Sequence, residues 1–174
     1  MKGCIHIYEG DGKGKTSTAV GLSVRCAGSG QSVVFSQFLK DNSSSEVAIL
    51  EQINGITYVR CEKHFGFFFR MNEAEKEEAR TYYRQHFTKA VNTAIEKKAR
   101  LFVMDELMSA YNLGVVDQEA VLEFLRTKPE EMEVVMTGRD PAPELLELAD
   151  YVSKIVKVKH PFDQGIPARL GIEF

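Results

Sequence analysis

The sequence predicts an α/β protein in which a mostly parallel central sheet is covered by helices on both faces. Short apolar runs alternate along the chain with stretches of helical periodicity, and a glycine cluster separates the first apolar run from the first helix. This alternation is typical of parallel sheets, which bind ligands at the carboxyl ends of their strands. With 174 residues and no internal repeat, the chain has the length of one domain, so residues 1–174 are expected to form a single domain.

Each predicted element follows from its local pattern. The predicted strands are Cys4–Tyr8, Ser32–Leu39, Ile56–Cys61, Leu101–Met104, Glu133–Thr137 and Val152–Lys159. The predicted helices are Lys15–Cys26, Glu46–Gln52, a long helix from the cap at Asn72 to about Lys98, Gln118–Arg126 and Pro143–Ala149. Asn72 with Glu75 has the spacing of a capping box, and Asp117 is suited to cap the helix that follows it.

Composition and charge exclude several classes of protein. The chain has 22 basic and 25 acidic residues, a net charge of −3, which argues against a nucleic-acid binder that works mainly by electrostatics. Its three cysteines form no CxxC pair, so reduced thiols are expected rather than a disulfide framework or a zinc site. No apolar run approaches the roughly 18 residues that span a bilayer, and no signal peptide is visible. We therefore expect no membrane segment and a cytoplasmic location.

A phosphate-binding loop is predicted between the first strand and the first helix. Its residues are Gly10, Asp11, Gly12, Lys13, Gly14, Lys15 and Thr16. Backbone N–H groups at a helix N-terminus bind phosphate, a lysine adds a point charge, and a threonine hydroxyl can bind Mg²⁺. Glu9 stands where the Walker A pattern has its first glycine. The loop indicates a nucleoside triphosphate site and a three-layer P-loop NTPase-like (RecA-like) fold.

An acidic pair after an apolar run is the second motif. Leu101–Met104 ends at Asp105-Glu106 and resembles a Walker B strand, whose carboxylates hold Mg²⁺ directly or through water. Such a pair can also be a helix cap or a surface turn. The sequence does not decide which carboxylate contacts the metal; we favour Glu106. Arg139, at the end of a later strand, is expected at the same edge of the sheet, where it contacts phosphate or forms a structural ion pair.

Several segments together resemble the bacterial ATP:corrinoid adenosyltransferases, which adenosylate cob(I)alamin and its precursors. The matching segments are residues 10–19, Val34–Lys40, Met104–Leu107, Thr137–Arg139, Val158–Phe162 and Gly171–Phe174. They occur in the order of the family and cover nearly the whole chain.

The resemblance implies transfer of the 5′-deoxyadenosyl group of ATP to Co(I), with triphosphate as the product. It further implies that the loop and Ser17 bind the triphosphate, that Lys15 and Glu106 are catalytic, and that Thr16, Asp105 and Glu106 hold Mg²⁺. A separate electron donor, a flavodoxin-like or flavin reductant, and a homodimer are also implied.

The corrinoid site is predicted after the third strand. The family tends to place a Phe and a Trp beneath the corrin ring; this chain has no Trp, and Phe67 and Phe69 take the corresponding places. Phe67 to Phe69 are therefore a candidate apolar wedge that removes the lower cobalt ligand, although such residues could also be core. Tyr111 and Asn112 are candidates to line the same pocket.

Two other functions are compatible with the same motifs. A P-loop phosphotransferase or ATPase would have the γ-phosphate attacked instead of C5′. A non-catalytic ATP-dependent corrinoid carrier would bind both ligands without forming a Co–C bond. The products distinguish all three.

Overall fold

A computed structural model of the chain describes residues 2–40, 44–63, 65–66 and 68–173. The strands are β1 Ile5–Glu9, β2 Val33–Gln37, β3 Ile56–Val59, β4 Leu101–Asp105, β5 Glu133–Gly138 and β6 Tyr151–Lys154. They form one sheet in the order β3-β2-β4-β5-β1-β6, and every neighbouring pair is parallel. The structure therefore confirms the predicted parallel sheet.

Helices connect these strands. They are α1 Lys15–Gly28, α2 Glu46–Leu50, α3 Glu73–Glu96, α4 Leu107–Asn112, α5 Gln118–Thr127 and α6 Pro143–Leu148, with 3₁₀ turns at Phe68–Arg70 and Pro161–Gln164. The predicted capping box is present: the Asn72 side chain accepts from the Glu75 N–H, and the Glu75 side chain accepts from the Asn72 N–H. Asp117 caps α5 by accepting from the Ala120 N–H.

Strands β2 and β3 each end two residues earlier than predicted, and two elements differ more. Helix α4 was not predicted because it has only six residues and no side-chain cap; it begins after Glu106, which adopts a left-handed conformation. Strand β6 ends at Lys154 instead of Lys159. Beyond it, the Ile155 N–H still bonds Glu9, but the Ile155 carbonyl accepts from the Gly12 N–H at 2.8 Å. The chain leaves the sheet edge there and packs against the glycine loop.

The sheet is the middle of three layers. Along β4, Phe102 and Met104 lie in the apolar cluster that includes α3, α4 and α5. Leu101 and Val103 lie in the opposite cluster, with residues of α1 and α2. Both faces of the strand are buried, which is why its sequence is a continuous apolar run rather than an alternating one.

The strand order brings distant segments to one edge of the sheet. Strand β5 separates β1, which precedes the glycine loop, from β4, which precedes the acidic pair. The carboxyl ends of β1, β2, β4 and β5 face the same edge because all are parallel. This is the three-layer P-loop NTPase-like fold that the sequence predicts. No helix among the described residues combines the length and the apolarity needed to cross a bilayer.

Candidate active site

The glycine loop between β1 and α1 is shaped by its contact with the segment after β6. A Cβ at Gly10 would lie 2.3 Å from the Ile155 carbonyl oxygen, and one at Gly12 would lie 2.7 Å from it. Gly10 also has a φ of 121°, which side chains rarely adopt. At these two positions the glycines therefore allow a close approach by the chain itself.

The N-terminus of α1 is left available for an anion. Gly14 is its N-cap residue, with a φ of 123° and no side-chain cap hydrogen bond. The first N–H groups of a helix have no partner within the helix, and together with the helix dipole they favour a bound phosphate. The loop therefore has the backbone geometry of a phosphate site.

Lys15 lies inside this loop and is buried. Its Nζ donates to the Gly12 carbonyl oxygen at 2.9 Å. Burial lowers the pKa of Lys15, and the nearby carboxylate of Glu106 acts against that shift. A buried ammonium with one carbonyl partner is well placed to exchange that partner for phosphate oxygens.

Asp105 at the end of β4 is the centre of a polar network at the floor of the site. Its carboxylate is fully buried. One oxygen accepts from Thr16 Oγ1 at 2.9 Å and from Thr137 Oγ1 at 2.6 Å. The other accepts from Gln37 Nε2 at 3.1 Å and from Lys40 Nζ at 2.7 Å. Four donors converge on this carboxylate from β2, β5, the loop after β2 and α1.

The Thr16 and Asp105 oxygens fit a magnesium ion. Two neighbouring oxygen ligands of an octahedral Mg²⁺, each at about 2.1 Å, lie about 3 Å apart. The Thr16 and Asp105 oxygens are 2.9 Å apart. Among the described residues, no cluster of three or more His, Cys, Asp or Glu side chains could hold a metal, so the remaining ligands would come from phosphate and water, as Mg²⁺ usually prefers.

Glu106, favoured by the sequence for direct metal contact, lies differently from Asp105. Its φ of 59° turns the chain sharply after β4. Its N–H donates to Thr137 Oγ1 at 2.9 Å, and its Oε2 accepts from Ser109 Oγ at 2.8 Å. The preference for Glu106 is therefore revised: it is Asp105 that lies against Thr16.

Two cavities meet at Glu106. The first, of about 320 Å³, is lined by the glycine loop, Ser17, Glu106 and Arg139, and also by the tail residues His160, Ala168, Ile172 and Glu173. The second, of about 440 Å³, is lined by apolar and aromatic side chains together with Glu106 and Ser109. A polar cavity and an apolar cavity thus share one lining residue, Glu106.

The apolar cavity contains part of the predicted wedge. Phe65, Phe68 and Phe69 line it, with Leu39, Met71, Tyr83 and Leu113. Phe69 is 76% exposed and does not belong to the core, whereas Phe68 is partly buried and packs against the core, so the core alternative holds for Phe68 and not for Phe69. Phe67 lies outside the described residues.

The tail also contributes to the polar cavity. Arg169 donates from its backbone and its guanidinium to Glu173, and these bonds lower the pKa of Glu173 to about 2. His160 accepts from the Phe162 N–H and so caps the turn that follows it. Both contacts lie within the segment after β6; it is the Lys157 N–H, donating to Asp11 Oδ1 at 3.0 Å, that joins this segment to the loop.

The structure separates two predicted residues from the apolar cavity. Tyr111 is on α4 and lies in the hydrophobic core of the protein, where it is 1% exposed. Its hydroxyl donates to Glu144 at 2.8 Å. Asn112 is exposed and donates to the Asp140 carbonyl at 2.8 Å. Neither is among the residues that line the apolar cavity. The prediction that Tyr111 and Asn112 line the corrinoid pocket therefore finds no support at this cavity.

Several site residues were not found from the sequence. They are Gln37, Lys40 and Thr137 around Asp105, and Leu39 and Phe65 in the apolar cavity. The available signal is the polar residues that end otherwise apolar strands, since Gln37 ends β2 and Thr137 is next to last in β5. In a parallel sheet such residues share the ligand edge.

Comparison with known proteins agrees with this geometry. A family model described as ATP:corrinoid adenosyltransferase BtuR/CobO/CobP matches residues 1–174. The corrinoid adenosyltransferase of Escherichia coli K12 is 30% identical over 99% of this chain and 86% of its own. That of Pseudomonas aeruginosa is 31% identical over 99% of this chain and 84% of its own. The corrinoid adenosyltransferase CobA of Salmonella typhimurium is 28% identical over 99% and 86%. With its whole length matched, the chain belongs to the ATP:corrinoid adenosyltransferase family BtuR/CobO/CobP.

Proposed function

We propose that this protein transfers the 5′-deoxyadenosyl group of ATP to the Co(I) centre of a corrinoid, in the biosynthesis or salvage of adenosylcobalamin. The observation that carries this proposal is the position of Glu106, which lines both the polar cavity of the glycine loop and the apolar aromatic cavity. A nucleotide whose phosphates lie in the loop can present its sugar at this junction. An apolar macrocycle in the second cavity then faces C5′ of that sugar.

The reaction is a displacement at C5′. The electron pair of Co(I) forms the Co–C bond, and the C5′–O bond breaks so that its electrons leave with triphosphate. The corrinoid supplies the nucleophile, so the protein needs no nucleophilic side chain. Its work is to align the two substrates and to stabilise the polyanionic leaving group.

The leaving group is stabilised by the loop. The N-terminal N–H groups of α1 bind phosphate oxygens, and Lys15 exchanges its bond to the Gly12 carbonyl for phosphate. Lys13 and Arg139 line the same cavity and add positive charge. Mg²⁺, when bound, neutralises the triphosphate, and Thr16 with Asp105 would hold it.

The aromatic cavity favours the reduced cobalt. A lower axial ligand on cobalt stabilises Co(II), so an apolar surface that excludes this ligand makes reduction to Co(I) easier. Phe65, Phe68 and Phe69 provide such a surface and also keep water from a reactive species. Phe69, which is largely exposed, is the residue in this set best able to contact a bound ring.

The remaining details of the proposal rest on the family. We place the protein in the cytoplasm as a homodimer, with cob(I)alamin among its substrates. A separate flavin or flavodoxin-like reductant supplies the electron that generates Co(I).

The test is an anaerobic assay with the purified chain, ATP, Mg²⁺ and chemically reduced cobalamin. We expect a light-sensitive Co–C bond to form with one triphosphate released per bond. Lys15→Met should lower the rate by at least about a hundredfold because it removes the buried cation from the loop. Lys89→Met, on the exposed face of α3, is the matched control and should retain the rate. ADP and phosphate as products would instead favour a phosphotransferase, and binding without a Co–C bond would favour a carrier.

A further inference from the structure

Lys40 contacts both residues of the proposed metal site. Its Nζ lies 2.7 Å from Asp105 Oδ2 and 3.1 Å from Thr16 Oγ1. We propose that Lys40 is a positioning residue that acts as an exchangeable counter-ion: its ammonium holds the Thr16–Asp105 pair in place until Mg²⁺ arrives with the triphosphate and displaces it. This inference rests on the proposed function, because it assumes that Thr16 and Asp105 bind the metal.

The first step of the argument is that Asp105 needs a cation. Its carboxylate is fully buried, and burying an unpaired charge is costly. Of the four groups that donate to Asp105, the Thr16, Thr137 and Gln37 groups are neutral. Within the part of the chain that the structure describes, Lys40 is the charged donor to Asp105. The ammonium of Lys15 points elsewhere, to the Gly12 carbonyl.

The second step is that Lys40 and Mg²⁺ exclude each other. A metal ion bound to Thr16 and Asp105 would lie about 2.1 Å from each oxygen. The Lys40 Nζ contacts Thr16 Oγ1, one of the two oxygens that would bind the metal, and Asp105 Oδ2, the other oxygen of the same carboxylate. Two cations held on the same hydroxyl and the same buried carboxylate repel each other strongly.

The third step is that Lys40 has a second carboxylate within reach, that of Glu46. Glu46 Oε1 lies 4.0 Å from the Lys40 Nζ, and both side chains are about one quarter exposed. Glu46 is itself fixed by a bond from Gln37 Nε2 at 3.0 Å. A small movement of the ammonium therefore exchanges the buried carboxylate for a partly solvated one without leaving it unpaired.

The backbone holds Lys40 in its position. The preceding residue, Leu39, has a φ of 57°, a conformation that costs free energy in a residue other than glycine and that clusters at functional sites. This turn places the Leu39 side chain in the apolar cavity and the Lys40 side chain at Asp105. The turn at Leu39 thus lies between the apolar cavity and the Asp105 network, and it contributes one side chain to each.

Metal binding without nucleotide tests the inference. The probe is Mn²⁺ added to the full chain, with free Mn²⁺ counted by electron paramagnetic resonance; thermal unfolding in EDTA and in Mg²⁺ is measured in parallel. The variants are Lys40→Met, which removes the charge at similar length, and Lys40→Arg, which keeps it. Lys89→Met, whose partner Glu62 is on the surface, is the matched control.

We expect Lys40→Met to bind Mn²⁺ at least about tenfold more tightly than the unchanged chain. It should also unfold at a lower temperature in EDTA and be stabilised more by Mg²⁺. Lys40→Arg and Lys89→Met should behave like the unchanged chain. If Lys40→Met is unfolded in EDTA, refolding by Mg²⁺ supports the inference, and failure of Mg²⁺ to refold it overturns the inference.

Other outcomes also overturn it. Unchanged or weaker Mn²⁺ binding by Lys40→Met means that the lysine does not compete with the metal. Loss of tripolyphosphate binding without a gain in Mn²⁺ binding makes Lys40 a phosphate ligand instead. None of these measurements uses ATP or a corrinoid, so failure here is separate from failure of the proposed adenosyl transfer.

Discussion

His86 makes the stability of the folded chain depend on pH on the acid side of neutrality. Its ring is buried on α3, where Nε2 lies 2.9 Å from Ser36 Oγ and the ring packs edge-on against Phe38. Burial lowers the pKa of His86 from 6.5 to about 4, and Lys89 contributes in the same direction. The protonated form is therefore disfavoured in the folded state.

The sign and size of the effect follow from this shift. The unfolded chain takes up the proton as the pH falls below about 6.5, whereas the folded chain does not until about pH 4. The free energy of unfolding therefore decreases as the pH is lowered from about 6.5 to about 4. Above this window His86 does not affect it. At about 1.4 kcal/mol per pKa unit, the loss from this one group is about 2 kcal/mol at pH 5.

Urea unfolding at about pH 7.5 and about pH 5 measures this loss. His86→Gln keeps a nitrogen donor but cannot titrate, so the difference between its two unfolding free energies should be smaller than that of the unchanged chain by about 2 kcal/mol. Thr88→Ala changes an exposed side chain on the same helix and removes no titrating group, so it is the control and should leave the difference unchanged. If His86→Gln loses as much stability as the unchanged chain, the burial argument is wrong.

Three further substitutions test the site. Thr137→Val removes the donor to Asp105 and the acceptor of the Glu106 N–H, so we expect the unfolding free energy to fall by about 2–4 kcal/mol. The concentration of Mg²⁺ needed for half of the maximal rate should rise. Gly12→Ala places a Cβ 2.7 Å from a backbone oxygen; we expect about 1–3 kcal/mol of destabilisation and weaker ATP binding by calorimetry. Phe69→Ala should change stability by less than about 0.5 kcal/mol, because the side chain is exposed, yet slow Co(II) reduction more than it weakens ATP binding.

Each of these has a matched control. Thr137→Ser retains the hydroxyl and should recover most of the stability that valine loses. Gly21→Ala lies in α1, where an added Cβ meets nothing within 4 Å, and should be stabilising by about 0.5–1 kcal/mol. Phe162→Ala removes another exposed aromatic side chain and should leave Co(II) reduction unchanged. The rate of Phe69→Ala can be expressed relative to that of the unchanged chain, once starting from Co(II) and once from pre-reduced Co(I). If the two relative rates are equal, Phe69 does not assist the reduction and the wedge hypothesis is wrong.

The features that sequence predicts well are those encoded locally. The glycine loop is contiguous with β1 and α1, so its chemistry and its place in the fold can be inferred from one short segment. The caps at Asn72 and Asp117 are likewise local, since each bonds a residue three positions ahead. The apolar runs predicted β2, β4 and β5 because both faces of the sheet are buried at these strands.

The missed features depend on tertiary structure. Lys40 and Thr137 lie 65 and 32 residues from Asp105, and the strand order alone brings them together. Asp105 contacts Thr16 and Glu106 does not, because the chain makes a left-handed turn at Glu106. No sequence pattern predicts this turn. The burial of Tyr111 in the core was missed because α4 was not predicted, and without the helix the direction of its side chain cannot be inferred.

The orientation of bound ATP tests the central claim most directly. A crystal structure with a non-hydrolysable ATP analogue, Mg²⁺ and a corrinoid would show which end of the nucleotide faces the aromatic cavity. The account predicts that C5′ lies at the junction beside Glu106, in line with cobalt, with the triphosphate on the glycine loop. A γ-phosphate at that junction, with the ribose directed away from the aromatic cavity, would contradict it.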